Sequence, residues 1–417
     1  VVNPEIVHPV SPEDIPGWVS AMATAFMRRP EGEEIKTWVE RTRPTWEAGR
    51  AYGVRDRGRW VGTLRTLSRT ITVPGHDGAT ELLSADALTN VTVAATHRRR
   101  GYLTRMLNGS LSDARERGEA VSILIAAEWP IYGRFGYAPA VPSTDFVLHP
   151  RRAGGTVPGD PARVRQVERE EFGRVAPDVF AAARRRRAGQ VDRDAGWWRR
   201  ALGLDGTPHD PELPHNWLVH EGEDGPDGLL AWSATRDFGF LPPLAAVTVP
   251  GLFAATDGAE RDLWAYLSGL DAVEEISLPN RPADEPIRWQ LADARTLVLA
   301  QQTDFLWLRL LDVPAALAAR RYAIPGELVL EVRDDTEVSV SGRYRLTAHD
   351  GAAACAPTAA APDLTVTQAA LAAAYLGGGP LRPRVATGAV TEHAPGALQR
   401  ADAMFLTGLA PWDATSF

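Results

Sequence analysis

The segment Arg98-Arg99-Arg100-Gly101-Tyr102-Leu103 brings together residue types that can hold a phosphate group. N–H groups in the first turn of a helix have no intrahelical acceptor, and with the helix dipole they favour an anion. Gly101 lacks a Cβ, so a pyrophosphate could come close to its main chain. The arginines before it can pair with phosphate oxygens. On spacing alone, a solvated arginine turn with an incidental glycine fits the segment equally well.

That chemistry needs a strand ahead of the turn and a helix behind it. The apolar strand Val91-Thr-Val-Ala94 leads into Thr96-His-Arg-Arg-Arg-Gly101. Leu103, Met106, Leu107, Leu111 and Ala114 then share a helical face that ends at Gly118. Val121-Ser-Ile-Leu-Ile-Ala-Ala127 reads as a central strand. Upstream, Ser11-Pro-Glu-Asp opens a helix with Pro12 at its first position and Trp18, Met22, Ala25 and Phe26 at helical spacing. Residues 51–73 read as a hairpin about Asp56-Arg-Gly58.

Downstream, the Pro/Gly-rich stretch 141–160 reads as a linker or hairpin into a second unit. There, residues 181–202 and 257–270 read as helices, and residues 216–219 and 228–234 as strands. A third, alanine-rich unit begins near Leu297. Its expected strands cover 326–332, 337–340 and 342–347, and an Ala/Leu helix over 368–376 is stopped by Gly377. The expected domains are therefore 1–145, 146–296 and 297–417, which suits 417 residues at roughly 100–200 per domain.

With 45 basic and 53 acidic residues the net charge is −8, which offers no electrostatic reason to expect nucleic acid as a partner. All the basic residues except Lys36 are arginine, which reads as a coding bias. No apolar run reaches 18 residues, so no membrane-spanning helix is expected. The single cysteine, Cys355, reads as a buried or half-buried structural thiol and excludes an intrachain disulfide and Cys-based zinc sites. The start, Val1-Val-Asn-Pro-Glu, carries no signal pattern, and a cytoplasmic location is expected. His209, His215 and His220 read as solvated loop histidines and not as metal ligands. Arg184-Arg-Arg-Arg187 reads as an exposed helical face or an interface patch.

Strand, Arg-x-x-Gly turn and helix together resemble motif A of the general-control-related N-acetyltransferases (GNAT), in which this turn binds the acetyl-CoA pyrophosphate. The family pattern has Gly or Ala where Leu103 stands. Taken with Val91-Thr-Val93 and Ile131-Tyr132-Gly-Arg-Phe-Gly-Tyr137, the chain is similar to the enhanced intracellular survival (Eis) N-acetyltransferases, which tolerate Leu there. The resemblance implies a mixed α+β fold: two GNAT-like units, the second structural, followed by a sterol-carrier-protein-like domain. It implies acetyl-CoA as co-substrate, no metal and a homohexamer.

By the same resemblance, acetyl-CoA contacts Val91, Thr92, Val93, Arg99, Arg100, Gly101, Tyr102, Leu103 and Thr104, with Ala127 and Glu128 near its reactive end. Tyr132 is the implied general acid and the terminal carboxylate of Phe417 the implied general base. From the residues alone, Tyr132 reads as an aromatic core residue and Phe417 as a frayed chain end. The apolar content of Phe405-Leu, Leu409-Ala-Pro-Trp412 and Phe417 argues instead that the tail docks.

The implied acceptor is a small-molecule or peptide amine, including aminoglycosides at more than one position, with Phe26 and Trp38 as pocket walls. Arg28 stands where the family's pocket can carry Asp, and Asn90 where it can carry Phe, so a polycationic ligand would meet like charge. The competing readings are a protein or peptide lysine acetyltransferase, and a lipid- or sterol-binding protein with a vestigial first unit.

Overall fold

Three antiparallel strands, β2 (Ala51–Asp56), β3 (Arg59–Pro74) and β4 (Thr80–Val93), carry the first unit, with runs of consecutive buried residues because both faces of the sheet are covered. In this computed structural model all residues are described except 1–3, 30, 76–79, 154–156, 205–215, 237–243 and 350. The first unit runs β1 (Glu5–Val7), α1 (Ile15–Ala25), α2 (Glu33–Thr42), β2 (Ala51–Asp56), β3 (Arg59–Pro74), β4 (Thr80–Val93), α3 (Tyr102–Glu116), β5 (Val121–Ile125), α4 (Trp129–Tyr132) and β6 (Ala138–Leu148). The second runs β7 (Val164–Val167), α5 (Arg169–Ala183), α6 (Ala195–Ala201), β8 (Asn216–Glu221), β9 (Pro226–Arg236), β10 (Ala245–Ala254), α7 (Asp257–Ser268), β11 (Val273–Arg281) and β12 (Leu297–Leu310). The third runs α8 (Val313–Ala319), β13 (Gly326–Arg333), β14 (Gly342–His349), β15 (Ala352–Pro357), β16 (Leu364–Thr367), α9 (Gln368–Ala374), β17 (Val390–Glu392) and α10 (Ala397–Phe405).

The first two units share one twelve-stranded sheet, in the order β1-β2-β3-β4-β5-β12-β6-β11-β10-β9-β8-β7. β12, expected to open the third unit at residue 297, instead lies between β5 and β6, antiparallel to both. Its alternate residues Leu306 and Leu308 are fully buried, and only a two-sided sheet position satisfies its backbone along that length. The third unit has its own five-stranded sheet, β15-β14-β13-β16-β17. Its core is continuous with the first unit's: Leu328, Leu330 and Leu371 cluster with Ile71, Val121 and Ile123. The other face of β4 and β5 is closed by α3 through Met106, Leu107 and Leu111.

Three expected elements differ. The linker or hairpin expected over 141–160 begins instead as β6, in the middle of the large sheet between β12 and β11. Pro139 and Pro142 are accommodated because they pair with Trp307 and Asp304 at register irregularities, where a missing N–H breaks no regular ladder. The helix expected over 181–202 is split after Ala183. Gly189 (φ 99°) turns the chain outward, Gly189 N–H and Gln190 C=O bond to Thr72 of β3, and α6 starts only after Asp194 caps Trp197 N–H at 2.6 Å. Residues 337–340 form a loop rather than a strand, because Asp334 accepts the N–H groups of Thr336 and Val340 at 3.1 and 3.0 Å and folds them around itself.

Other readings can be placed as well. Cys355 is half-buried on β15. His220 is a buried β8 residue, not a solvated one, with Nδ1 2.5 Å from Asp227 and Nε2 2.9 Å from Asp262. His209 and His215 lie outside the described residues. Arg184 to Arg187 are not a free face: Arg184 donates to Thr70 Oγ1 at 2.8 Å, Arg186 pairs with Asp257 and Glu260, and Arg187 with Asp284. No helix among the described residues is long and apolar enough to cross a membrane.

Candidate active site

The site begins where two strands part. β4 and β5 pair in parallel only through Leu88 and Leu124, so β4 from Thr89 to its end has no β5 partner along that edge. At the same point the β3–β4 register gains a residue on β4, centred on Asn90 in the left-handed region (φ 54°). The bulge is pinned by Thr63 Oγ1, which donates to Asn90 C=O at 2.9 Å, and by Arg65 Nε, which donates to Asn90 Oδ1 at 2.8 Å. The main-chain groups of Val91, Thr92 and Val93 on that side therefore have no β5 partner.

Beyond β4 the chain turns through Arg98 to Gly101. Arg98 is extended (φ −63°, ψ 160°), and Arg99 (φ 61°) and Gly101 (φ 77°) both lie in the left-handed region, so the chain reverses sharply into α3. The first intrahelical bond of α3 runs from Arg105 N–H to Gly101 C=O at 3.1 Å. The N–H groups of Tyr102, Leu103 and Thr104 are thus left without intrahelical acceptors at a fifteen-residue helix's N-terminus. No heavy atom lies within 4 Å of a Cβ built on Gly101, so space stands open there. Arg99 and Arg100 are exposed, with Arg100 donating to Thr96 C=O at 3.0 Å.

Ala127 and Glu128 follow β5, both exposed, and Glu128 occupies the position before α4. Tyr132 ends α4 and is 7% exposed, among Tyr102, Met106 and Phe135. Burial first, and then the Glu128 charge, push its phenol up to about 12. It stays protonated, and so a hydrogen-bond donor, throughout the neutral range.

The chain end does not fray. Trp412 N–H bonds Ala188 C=O at 3.0 Å and its indole donates to Asn280 C=O at 2.8 Å. Asp413, fully buried, accepts the N–H groups of Val191 and Thr415 at 3.1 and 3.2 Å. Arg193 donates to Ala414 C=O, and Trp197 Nε1 to Ser416 C=O, each at 3.0 Å. The tail so held delivers Phe417, whose main-chain oxygen accepts from Thr89 Oγ1 at 3.0 Å. Phe417 thus lies beside the stretch of β4 that β5 leaves unpaired.

Phe417, Trp38, Thr89 and Asn90 line one cavity of about 260 Å³, with Met22 at its α1 side. Four of its other walls are Arg41, Arg65, Arg69 and Arg200, and Asp194 is its one acidic side chain among the described residues. At Arg200 and Phe417 it adjoins a cavity of about 500 Å³ lined by Phe172, Trp197, Trp217 and Phe253. Phe26, expected as a wall, is 49% exposed just beyond α1 and does not line either cavity, nor does Tyr132. Arg28 lies over the Trp38 ring, 5.8 Å from its centroid. The arginine walls were invisible to sequence reasoning, because they come from α2, β3 and α6 with no shared spacing. The tail clamp was likewise unreadable, although the aromatic content of residues 405–417 pointed to docking.

Splayed parallel strands, an anion-receptive helix start and a C-terminal sterol-carrier-like sheet define an acetyltransferase of the GNAT class. Residues 7–140 and 189–310 each match an acetyltransferase (GNAT) domain family, and residues 313–413 match a sterol carrier protein domain. The chain is 32% identical over 366 residues, 86% of each chain, to N-acetyltransferase Eis of Mycobacterium tuberculosis. It is 37% identical over 414 residues to an uncharacterized N-acetyltransferase of Streptomyces griseus, covering 97% of this chain and 98% of that one. The crystal structure of Eis1 from Mycobacterium abscessus superposes with a TM-score of 0.85 at 31% identity, covering all of both chains. The chain belongs to the Eis family of GNAT N-acetyltransferases.

Proposed function

We propose that this N-acetyltransferase transfers the acetyl group of acetyl-CoA directly to a primary amine in a ternary complex. The observation that carries this reading is the Phe417 carboxylate, fixed by Thr89 at 3.0 Å beside the unpaired edge of β4. The first unit binds acetyl-CoA, with the pyrophosphate on the N–H groups of residues 99–104 and the pantetheine along Val91, Thr92 and Val93. The second unit holds the tail, and the third delivers it.

An amine attacks a thioester only as the free base, so a proton acceptor must stand near the nitrogen. A chain-terminal carboxylate has a reference pKa of roughly 3.3–3.7, which suits it to orienting the ammonium and passing its proton to water. The amine nitrogen bonds to the carbonyl carbon, main-chain N–H groups take the developing oxyanion, and the C–S bond breaks. Tyr132 O–H donates to the departing sulfur; a phenol with its pKa near 12 acts by hydrogen bonding until the sulfur's charge is nearly complete. As the C–S bond breaks, the attacking nitrogen gives up its second proton to water, which restores the proton that Tyr132 passes to the sulfur, so the thiol leaves protonated and the amide and free CoA are the products.

The test is free-thiol release from acetyl-CoA with a panel of aminoglycosides, polyamines, lysine peptides and amino acids, the acetylated product being verified by mass. Tyr132→Phe is expected to lower kcat by about 10²-fold with unchanged acetyl-CoA affinity. Thiol release with no amine of the panel, or full activity in Tyr132→Phe, overturns the proposal.

A further inference from the structure

Phe417 is a wall of two cavities at once, the one of about 260 Å³ beside Thr89 and the aromatic one of about 500 Å³ in the second unit. We propose that the acceptor is a primary amine carried by an aromatic ring on a short alkyl chain, the ring entering the aromatic cavity while the amine faces Phe417. This rests on the N-acetyltransferase reading above and specifies its acceptor.

The walls are the first argument. Phe172 of α5, Trp197 of α6, Trp217 of β8 and Phe253 of β10 bring rings from four elements to one space. Phe172, Trp217 and Phe253 are buried members of one apolar cluster of the second unit, and the Phe172 and Trp217 ring centroids are 4.9 Å apart. The space is therefore a preformed gap at the edge of a packed core. No acidic side chain lines it among the described residues. A neutral ring seated there leaves water and packs against other rings.

Aromatic faces attract cations as well as rings, and Arg193 decides between the two. Its guanidinium carbon already lies 3.7 Å from the Trp197 ring centroid and 4.6 Å from that of Phe253. It is fixed there: Nε donates to Thr415 Oγ1 at 3.1 Å and Nη2 to Ala414 C=O at 3.0 Å, within the tail that ends at Phe417. Burial pushes its pKa down to about 9, against the Asp413 charge, so cationic charge is already costly at this place. A second cation would meet like charge beside the same rings, and a neutral ring would not.

Continuity is the third argument. Thr89 and Asn90 line the smaller cavity alone, next to the stretch of β4 that β5 leaves unpaired. An amine placed there has its body directed past Phe417, and because that residue bounds both spaces a short linker spans them.

The test compares amines that differ in the body they carry: 2-phenylethylamine and tryptamine against n-butylamine, with kanamycin as the polycation. Binding to the full-length CoA-loaded protein is read by calorimetry, independently of turnover. The two arylalkylamines are expected to bind at least about tenfold more tightly than n-butylamine. A Cβ on Gly251 would meet Phe253 Cε2 at 3.6 Å and Ala231 Cβ at 3.8 Å, ordinary contact distances, so Gly251→Leu puts a side chain into the aromatic cavity without forcing the backbone. Ala201→Leu does the same from α6. Each is expected to bring the ratio toward one, with unfolding midpoints recorded for both. In the unaltered protein, an aryl azide derivative of 2-phenylethylamine is expected on irradiation to label residues of α5, α6, β8 or β10, read by peptide mass mapping. Equal binding of arylalkylamines and n-butylamine, tighter binding of kanamycin, binding of none of these amines, a ratio untouched in the folded variants, or label confined to other elements each overturns the inference. Loss of thiol release with every amine while the arylalkylamine preference persists would instead strike the transferase reading alone.

Discussion

At the scale of single residues, the site depends on groups that burial has moved away from their solution behaviour. Tyr132 is held protonated, as the donor role proposed for it requires. Asp413 is the more sensitive case. Burial lifts its carboxyl from 3.8 to about 7, against the N–H groups of Val191, Thr415 and Ala414 and the Arg193 charge, which favour the ionised form, and Oδ2 has no hydrogen-bond partner among the described residues. Between these values the folded chain keeps a proton that the unfolded chain has released, so folding stability falls as pH rises from about 4 to 7. The loss is at most about 1.4 kcal/mol per pH unit from this residue. Asp86, lifted to about 6 mainly by burial, adds a loss of the same sign. Asp413→Asn keeps an oxygen for Val191 and Thr415 and removes the titration. Its urea midpoint is expected to decline less over pH 4–7 than that of the wild type, and parallel curves would refute the assignment.

At the scale of elements, the cleft proposed for acetyl-CoA is made by what strands β4 and β5 fail to do. The pairing stops at Leu88, the Asn90 bulge bends β4 away, and the turn through Gly101 aims α3 at the gap. The strand, turn and helix were legible in the sequence because hydrophobic periodicity and a glycine are local signals. The bulge was not: a left-handed Asn90 is set by Thr63 and Arg65 on the neighbouring strand. Gly101→Ala tests the turn. Its Cβ would meet no atom within 4 Å, so the stability cost is that of the left-handed backbone alone, about 1 kcal/mol. Calorimetry is expected to show weaker acetyl-CoA binding, because the methyl group stands in the anion's approach. Unchanged affinity would move the pyrophosphate elsewhere.

For the whole molecule, one sheet spanning two units is what lets Phe417 reach Thr89 of the first unit. β12 interleaves between β5 and β6, and the third unit packs its core against β3, β4 and β5. From α10 the tail returns across residues 188–197 of the second unit, with Trp412 stacked at 5.4 Å on Phe253. The Arg184 to Arg187 turn, bonded to Thr70, Glu260 and Asp284, ties the first unit to the second at the same seam. Adding residues after Phe417 moves the carboxylate while leaving the α3 turn untouched. Such a protein is expected to lose turnover by about 10²-fold or more and to keep its acetyl-CoA affinity. A fully active C-terminally extended enzyme would remove Phe417 from the mechanism.

Local information in the sequence was enough for α1, α3, α7 and α9, for strands such as β5, β8 and β13, and for the strand, turn and helix around Gly101, since each depends on neighbours a few residues apart. Only the tertiary structure decided the rest: the place of β12, the clamp on the tail, and a pocket walled by arginines from three elements. Those features depend on backbone groups and charges that are distant in sequence and acquire partners, or like-charged neighbours, only when the sheet closes and water leaves.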